Sequence, residues 1–453
     1  MALTAAERLA EFVAGATVPD EARAAACGAV QDTVGVMLAG AAEPVASILR
    51  RTALAEAAEG PASLFGTPHA TSATWAALVN GTAAHALDFD DMCWTSLAHP
   101  SAPLVAASMA TAESVGAGGR RVLEGYVVGF EIESALGRAM NPSHYEQGWH
   151  CTSTIGTIGS AAAAARVMGL GSEATSRALA IAASEASGLK ENFGTMVKPL
   201  HSGLAARNGV LAALLARDGL TASRRAIDGP QGLLVAMMGG DGDLDASLSA
   251  IGQRWKIVEE GITVKLYPSC AGTHPTIDTL IDLRREHDLG PDDIAAVDVG
   301  VDGVMPTVLI YDRPTSGLEA KFSLHFCAAA ALAHGRVGMD MFEPSGVRDP
   351  VVQRLLPLVT MRVHDALIGA SPPLTHARIR VTLSDGRTLE RAVNGARGYP
   401  DQPVSTVERD GKFLECAVRC VSPAAAARAL DHLKAFDTNL DAKALAALLT
   451  PPA

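Results

Sequence analysis

The sequence predicts a mainly α protein with an α+β second domain, a large all-helical domain followed by a smaller mixed one, and three observations predict it. The chain is 48% hydrophobic but only 4% aromatic, so its interior is built from Ala, Leu, Val and Ile, whose small side chains let helices approach closely. Helical patterning runs almost unbroken from the N-terminus to about residue 250, punctuated by glycines at 116–119, 169–171 and 239–242. Strand character then enters. Residues 254–267 are rich in Val, Ile and Lys, residues 294–301 and 377–383 alternate apolar with polar, and Asp385-Gly386 turns the chain into a return strand over 388–393. Helices are expected from His274 and from near Phe322, and alanine-rich helix returns after about residue 405. At 453 residues the chain is long for one core. The reading is a helical domain over 1–264, an α+β domain over 265–404, and a C-terminal helical segment over 405–453 that rejoins the first. A cleft between two such domains is a common place for a ligand.

Composition excludes several function classes. A formal charge of −12 with no basic run argues against nucleic-acid binding. The first residues, Met1-Ala2-Leu3-Thr4-Ala5-Ala6-Glu7-Arg8, lack the basic region and apolar core of a secretory signal. No charge-free apolar segment reaches the roughly 20 residues that span a bilayer, so the expected location is the cytoplasm, away from membranes. Seven cysteines without a Cys-x-x-Cys pair read as buried free thiols, with Cys416 and Cys420 one helical turn apart, and no iron–sulfur cluster is expected. The glycine signatures of nucleotide binding and the Gly-x-Ser-x-Gly elbow of serine hydrolases are absent.

The informative pattern is a basic residue followed by proline and then by a helical run, three times over: His99-Pro100, Lys198-Pro199 and His274-Pro275. Proline suits the first helical turn, where its missing N–H has no partner to lose, so each basic residue is placed at a helix N-terminus. That end already carries positive partial charge, and a cation there is electrostatically unfavourable unless an anion joins it. His150 repeats the arrangement, because Trp149-His150-Cys151-Thr152-Ser153 leads straight into a small-residue helix. Taken singly, each of these histidines reads as a hydrogen-bonded loop residue; together with Lys198 they read as a receptor for a carboxylate or phosphate. A histidine at a helix N-terminus also has its pKa pushed down, which keeps it neutral for acid–base work.

A second cluster is His85-Ala86-Leu87-Asp88-Phe89-Asp90-Asp91. On a helix Asp88 and Asp91 share one face and Asp90 points elsewhere. Clustered carboxylates can hold a divalent cation, but the cationic surround argues otherwise, and no metal is expected. Tyr267, Tyr311, Lys321 and His325 lie in the second domain, from where they could reach the cleft from the far side; Lys321 and His325, four apart, could share a helix face, and a solvated or packed position suits either equally well. Met196 and Phe193 read as core. Cofactor-free proton transfer next to a carboxylate is the chemistry that suits such a set, because it needs a positioned acid or base and cations for the developing charge.

His85-Ala-Leu-Asp-Phe-Asp-Asp91 with His99-Pro-Ser101, Trp149-His150, Val197-Lys198-Pro-Leu-His201, Tyr267-Pro-Ser-Cys270 with Thr273-His274, and Glu319-Ala-Lys-Phe-Ser323 together resemble the MmgE/PrpD family. The resemblance spans nearly the whole chain. It implies that the second domain is lid-like, that the protein is a homodimer without an iron–sulfur cluster or other cofactor, and that Asp88, His99, His150, Lys198 and His274 are catalytic, with Tyr311 beside them. Asp91, Tyr145, His201, Tyr311 and Lys321 are the candidate substrate contacts. The family's reactions include dehydration of 2-methylcitrate, decarboxylation of cis-aconitate and epimerisation of iminodisuccinate. The leading expectation is a 2-methylcitrate-dehydratase-like hydro-lyase acting on a small-molecule polycarboxylate, with His150 or His274 as base, Lys198 and His99 on carboxylates, and Asp88 orienting one of them. Epimerase, decarboxylase and non-catalytic carboxylate binder are the alternatives. The chain departs from many members where Met92-Cys93-Trp94 follows the aspartates.

Overall fold

A computed structural model describes residues 3–56, 58–238, 242–439 and 441–450; the expected glycine break at 239–241 lies outside them. The helices that matter here are α1 (Asp20–Gly40), α2 (Ala73–His85), α3 (Ser101–Val115), α4 (Gly119–Met140), α5 (Cys151–Met168), α6 (Val197–Arg217), α7 (His274–Glu286), α8 (Leu324–His334) and α9 (Thr406–Ala417). The strands of the α+β domain are β1 (Ile294–Val301), β2 (Val359–Val363), β3 (His376–Leu383) and β4 (Thr388–Asn394). This is a large helical domain with a smaller α+β domain. No single helix is long and apolar enough to cross a membrane.

Helices α2, α3 and α5 are apolar or small on every side, and nearly all of their residues are buried. A helix without a polar face belongs at the centre of a bundle. Helix α6 lies against both α2 and α5, and it does so through glycine: a Cβ on Gly203 would stand 2.2 Å from the Leu78 carbonyl oxygen, and one on Gly209 would stand 2.4 Å from the Ser160 side chain. The backbones are that close because nothing intervenes. Gly116 and Gly169, both left-handed, close α3 and α5 where the glycine clusters predicted breaks.

The sheet has the order β2-β1-β3-β4, with β2 parallel to β1 and the other pairs antiparallel. In β3 the buried residues Ala377, Ile379, Val381 and Leu383 alternate with Arg378, Arg380 and Thr382 on the open face. Helices α7 and α8 cover the inner face. Strand β2 was not predicted, because a five-residue strand with one fully buried side chain has almost no alternation to read. The strand expected over 254–267 is absent: Lys256–Glu259 is a short helix, started by the Glu131 carboxylate accepting the N–H groups of Lys256 and Ile257, and Thr263 only bridges to Met92. A buried capping acid and the lack of a partner strand overrode β propensity. At the C-terminus α9 returns to α1, where Gly35 lets the Phe413 backbone approach. Cys420 lies beyond the end of α9, so it does not share a helix with Cys416; all seven thiols are free, five buried and two half-buried.

These contacts make a paired prediction. Gly203→Ala should lower stability by about 1–3 kcal/mol through overpacking, whereas Gly411→Ala in α9, where nothing lies within 4 Å of the new methyl, should raise it by about 0.5–1 kcal/mol. Denaturant unfolding of the two variants checks both signs.

Candidate active site

Helix α2 stops at His85, and the chain then turns through Asp88, which takes a left-handed φ of 52°. For a non-glycine residue that conformation costs about 1 kcal/mol or more, so the surroundings must hold it. Buried lysines do so. Lys265 donates to the Asp88 carbonyl oxygen at 2.8 Å and to Oδ2 of its carboxylate at 3.1 Å. Lys321 donates to the Leu87 carbonyl at 2.8 Å and to that of Pro268 at 3.0 Å. Lys412 donates to the Phe89 carbonyl at 2.9 Å and pairs with Asp32 at 2.8 Å. Lys198 pairs with Oδ1 of Asp88 and lies 2.9 Å from His85 Nε2. Three successive carbonyls and one carboxylate are thus fixed by four ammonium groups from separate parts of the chain.

The histidines interlock around this turn. An ammonium has only donors, so His85 Nε2 accepts from Lys198, and its Nδ1–H is left to donate to Asp90 Oδ2 at 2.7 Å. His99 Nδ1 stands 3.4 Å from the same oxygen without hydrogen-bond alignment, and its ring meets that of His85 edge-on at 4.6 Å. His150 stacks on His85 at 5.8 Å, receives the edge of Phe193 at 4.9 Å, and places its Nδ1 3.0 Å from Nδ1 of His201. His150 is the N-cap of α5, Lys198 the second residue of α6, His274 the first of α7, and His99 directly precedes the Pro100 cap of α3. All four basic residues therefore sit at helix N-termini.

Burial dominates the electrostatics. Desolvation, followed by the Lys265 charge, pushes His99 and His274 down to about 3; desolvation and the neighbouring His85 and Lys198 push His201 down to about 4. His85 and His150 are lowered for the same reason, with Lys198 adding to the effect on both. The rings are neutral near pH 7 and weak bases. Desolvation works against ionisation of Asp88 and Asp90, but the lysines beside Asp88 and the imidazoles beside Asp90 outweigh it and hold both well below the usual carboxylate range. Burial pushes Asp32 and Asp91 up instead. Lys198 and Lys265 thus share the one ionised carboxylate of Asp88, while Lys412 pairs with Asp32 and Lys321 meets only carbonyl oxygens, a concentration of cations at one turn that suits an anion.

Several expectations need correction. Asp88 and Asp91 do not share a helix face, because α2 has already ended; Asp90 is the carboxylate that joins the histidines. Asp91 turns away to Ser101, accepting from its N–H at 3.2 Å and from its hydroxyl, which lies 2.6 Å from Tyr126. Lys321 precedes α8 and shares no helix with His325; it is a strut between backbone carbonyls, with its ammonium 4.5 Å over the Phe342 ring. His325 faces Asp312 at 3.6 Å instead of the cluster. Met196 is exposed, while Phe193 is buried as expected. His274 stands against Tyr267, 5.1 Å between rings, with Nε2 3.2 Å from the Ser269 carbonyl and Nδ1 without a partner. Tyr311 donates from its hydroxyl to the Phe193 carbonyl at 3.0 Å, which joins the two domains beside the cluster. Tyr145 is buried under the Lys190 ammonium, 3.7 Å from its ring, and Lys190 lines a cleft of about 790 Å³ whose walls also include Trp94, Asn141, Asp302 and Ser371.

Sequence reasoning missed His85, Asp90 and Lys265 as site residues. His85 and Asp90 lay inside the quoted cluster and were passed over because a helix was assumed there. Lys265 had a signal of its own, a lone cation in the apolar run Ile262-Thr263-Val264-Lys265-Leu266. Ligand atoms of His85, Asp88, Asp90 and His99 all lie within 4.8 Å of one another. Lys198 and Lys265 engage both oxygens of Asp88, and Lys198 also holds His85 Nε2. Asp88 and His85 are thus committed to lysines, whose ammonium groups within the same cluster fit a metal cage poorly.

Asp91 gives a stability prediction. Its carboxyl is pushed up to about 8 in the fold, against about 3.9 when unfolded. Between those values the folded chain keeps a proton the unfolded chain has lost, so this group makes stability fall as pH rises from about 4 to about 8, by at most about 1.4 kcal/mol per pH unit. Asp91→Asn should remove that slope and gain most over wild type near pH 8. Equal pH dependence of unfolding in the two proteins would contradict it.

Comparison with known proteins identifies the family. Residues 7–244 match the MmgE/PrpD N-terminal domain and residues 267–438 the MmgE/PrpD C-terminal domain. The human cis-aconitate decarboxylase is 29% identical over 409 residues, covering 84% of this chain and 80% of that protein. A cis-aconitate decarboxylase-like protein of Aspergillus oryzae is 28% identical over 86% of this chain and 85% of its own length, and the cis-aconitate decarboxylase of Aspergillus terreus is 24% identical over 72% and 71%. Two domain matches that together span nearly the whole chain, over a buried site of lysines and neutral histidines, establish that this protein belongs to the MmgE/PrpD family and is an enzyme, a lyase of carboxylic acids.

Proposed function

We propose that the protein decarboxylates a tricarboxylate of the cis-aconitate type, as a homodimeric cytoplasmic enzyme. The observation that carries this reading is the lack of a strong base in the histidine cluster. Asp88 is held ionised by Lys198 and Lys265 and Asp90 by the hydrogen bond it accepts from His85, and the imidazoles are weak bases because they are buried. Dehydration and epimerisation both begin by removing a weakly acidic proton next to a carboxylate, which requires a base of matched pKa. Decarboxylation requires none. The bond to one carboxylate breaks, carbon dioxide leaves, and the electron pair spreads over the adjoining double bond until an acid protonates carbon.

The residues divide accordingly. Lys198, with the positive helix ends at His99 and His274, binds the carboxylates that remain and stabilises the developing charge. Phe193 and Phe322, 5.4 Å apart and both near the Lys198 ammonium, offer an apolar wall against which the departing carboxylate loses its water, which favours its loss. A neutral imidazole N–H, that of His150, delivers the proton. Asp88 orients Lys198. The similarity to two cis-aconitate decarboxylases and a cis-aconitate decarboxylase-like protein supports the choice of acid, and the lysines gathered at the Asp88 turn support a substrate with several negative charges.

Proton NMR in D₂O with cis-aconitate, 2-methylcitrate, citrate and iminodisuccinate tests this directly. The expected result is carbon dioxide release from cis-aconitate alone, with one deuterium in the product. Water loss from 2-methylcitrate, or exchange of an alpha proton without carbon dioxide, would replace decarboxylation by hydro-lyase or epimerase chemistry. His150→Gln should lower turnover by about 10²-fold or more with the fold intact; wild-type turnover in that variant removes His150 from the reaction.

A further inference from the structure

Decarboxylation consumes one proton per turnover, and His150 is poorly placed to supply it alone. It is 2% exposed, enclosed by His85, Phe193 and the Lys198 side chain. A neutral imidazole that gives up its only N–H becomes an anion, and one that stores an extra proton becomes a cation beside an ammonium; a dry site disfavours both. The only polar contact its ring makes among the described residues is with His201, Nδ1 to Nδ1 at 3.0 Å. Two nitrogens at that distance share one proton, with one ring donating and the other accepting.

His201 in turn lies just beneath the surface. The loop over it runs Ser187-Gly188-Leu189, with both neighbours of the glycine exposed. Gly188 has φ 123°, and a Cβ there would stand 3.5 Å from His201 Cδ2 and 2.6 Å from Ser153. Gly188 itself therefore adds no side chain over that edge of the ring. The Gly188 carbonyl accepts the His150 backbone N–H at 3.0 Å, so one residue both fixes His150 and leaves His201 thinly covered.

We infer that His201 is not a substrate contact but a relay that passes protons from water to His150 during the decarboxylation proposed above, on which this role rests. Before the reaction His201 Nδ1–H donates to His150 Nδ1, and His150 carries its proton on Nε2. When the carbon–carbon bond breaks and carbon dioxide leaves, the electron pair on carbon takes the Nε2 proton, the shared proton crosses to His150 Nδ1, and His201 Nε2 takes a proton from water. Both rings are neutral before and after this delivery. After the product leaves, water protonates His150 Nε2, the shared proton crosses back, and His201 Nε2 returns its proton to water. The net change is one proton taken from solvent for each carbon dioxide released.

The test compares His201→Ala and His201→Gln with wild type. Glutamine keeps an amide N–H to donate to His150 but cannot pass a proton through. Both variants should lose about tenfold or more in kcat, with KM for cis-aconitate little changed, and added imidazole should restore turnover to the alanine variant in proportion to its concentration. Wild-type kcat in the glutamine variant, a rise in KM alone, or no rescue by imidazole would overturn the relay. If wild type releases no carbon dioxide from cis-aconitate, it is the proposed function that fails. The relay is then read from the ¹⁵N shifts of the histidine rings: loss of His201 should change the tautomer of His150, and unchanged His150 shifts would reject the pairing.

Discussion

Everything at this site depends on the turn through Asp88 being held by ammonium groups. Burying four lysines is costly, and a buried ion pair often does no more than break even against apolar residues of the same volume. Here the lysines find carbonyls as well as carboxylates. Leu87, Asp88 and Phe89 present successive carbonyl oxygens, and Lys321, Lys265 and Lys412 each take one. Lys198 then completes the cage through the Asp88 carboxylate. The left-handed backbone at Asp88 persists because the tertiary structure surrounds it.

The lysines also determine how the parts of the chain fit together. Lys198 comes from the helical bundle, Lys265 from the segment leading to the α+β domain, Lys321 from within that domain, and Lys412 from α9 as it returns to α1. Each reaches the same seven-residue stretch. A shift of the α+β domain would therefore withdraw Lys321 from the Leu87 carbonyl and carry His274 away from Lys265, so the geometry of the site and the docking of the domains are one constraint. Tyr311, bonded to the Phe193 carbonyl, adds a second tie beside the same cluster.

Local rules are broken where the site is. Basic residues occupy the positive ends of α5, α6 and α7, imidazoles are buried until they no longer hold a second proton, and two lysines crowd the single carboxylate of Asp88. Each is unfavourable alone, and such conflicts concentrate at functional sites. An anionic ligand relieves these conflicts, since it offsets the positive charge gathered at the lysines and at the helix ends. The same burial that suppresses basicity favours a reaction that begins with loss of a carboxylate.

The sequence by itself determined the elements whose signal is local. Proline after a basic residue placed His99, Lys198 and His274 at helix starts, because proline's geometry and missing N–H act on adjacent residues only. The Asp-Gly turn and the alternation around it located β3 and β4 for the same reason, and the six motif blocks carried the family. What lay beyond it was whatever depended on a partner distant in the chain. Asp88 and Asp91 read as one helix face because nothing nearby shows that α2 ends at His85; the end is enforced by lysines 110 to 323 residues away. Which carbonyls Lys265 and Lys321 reach, and that His201 meets His150, is not legible locally, since those contacts exist only once distant segments pack. Tertiary structure alone decides which charges meet, because electrostatic pairing depends on distance in space and on the removal of water, and neither is written in local order.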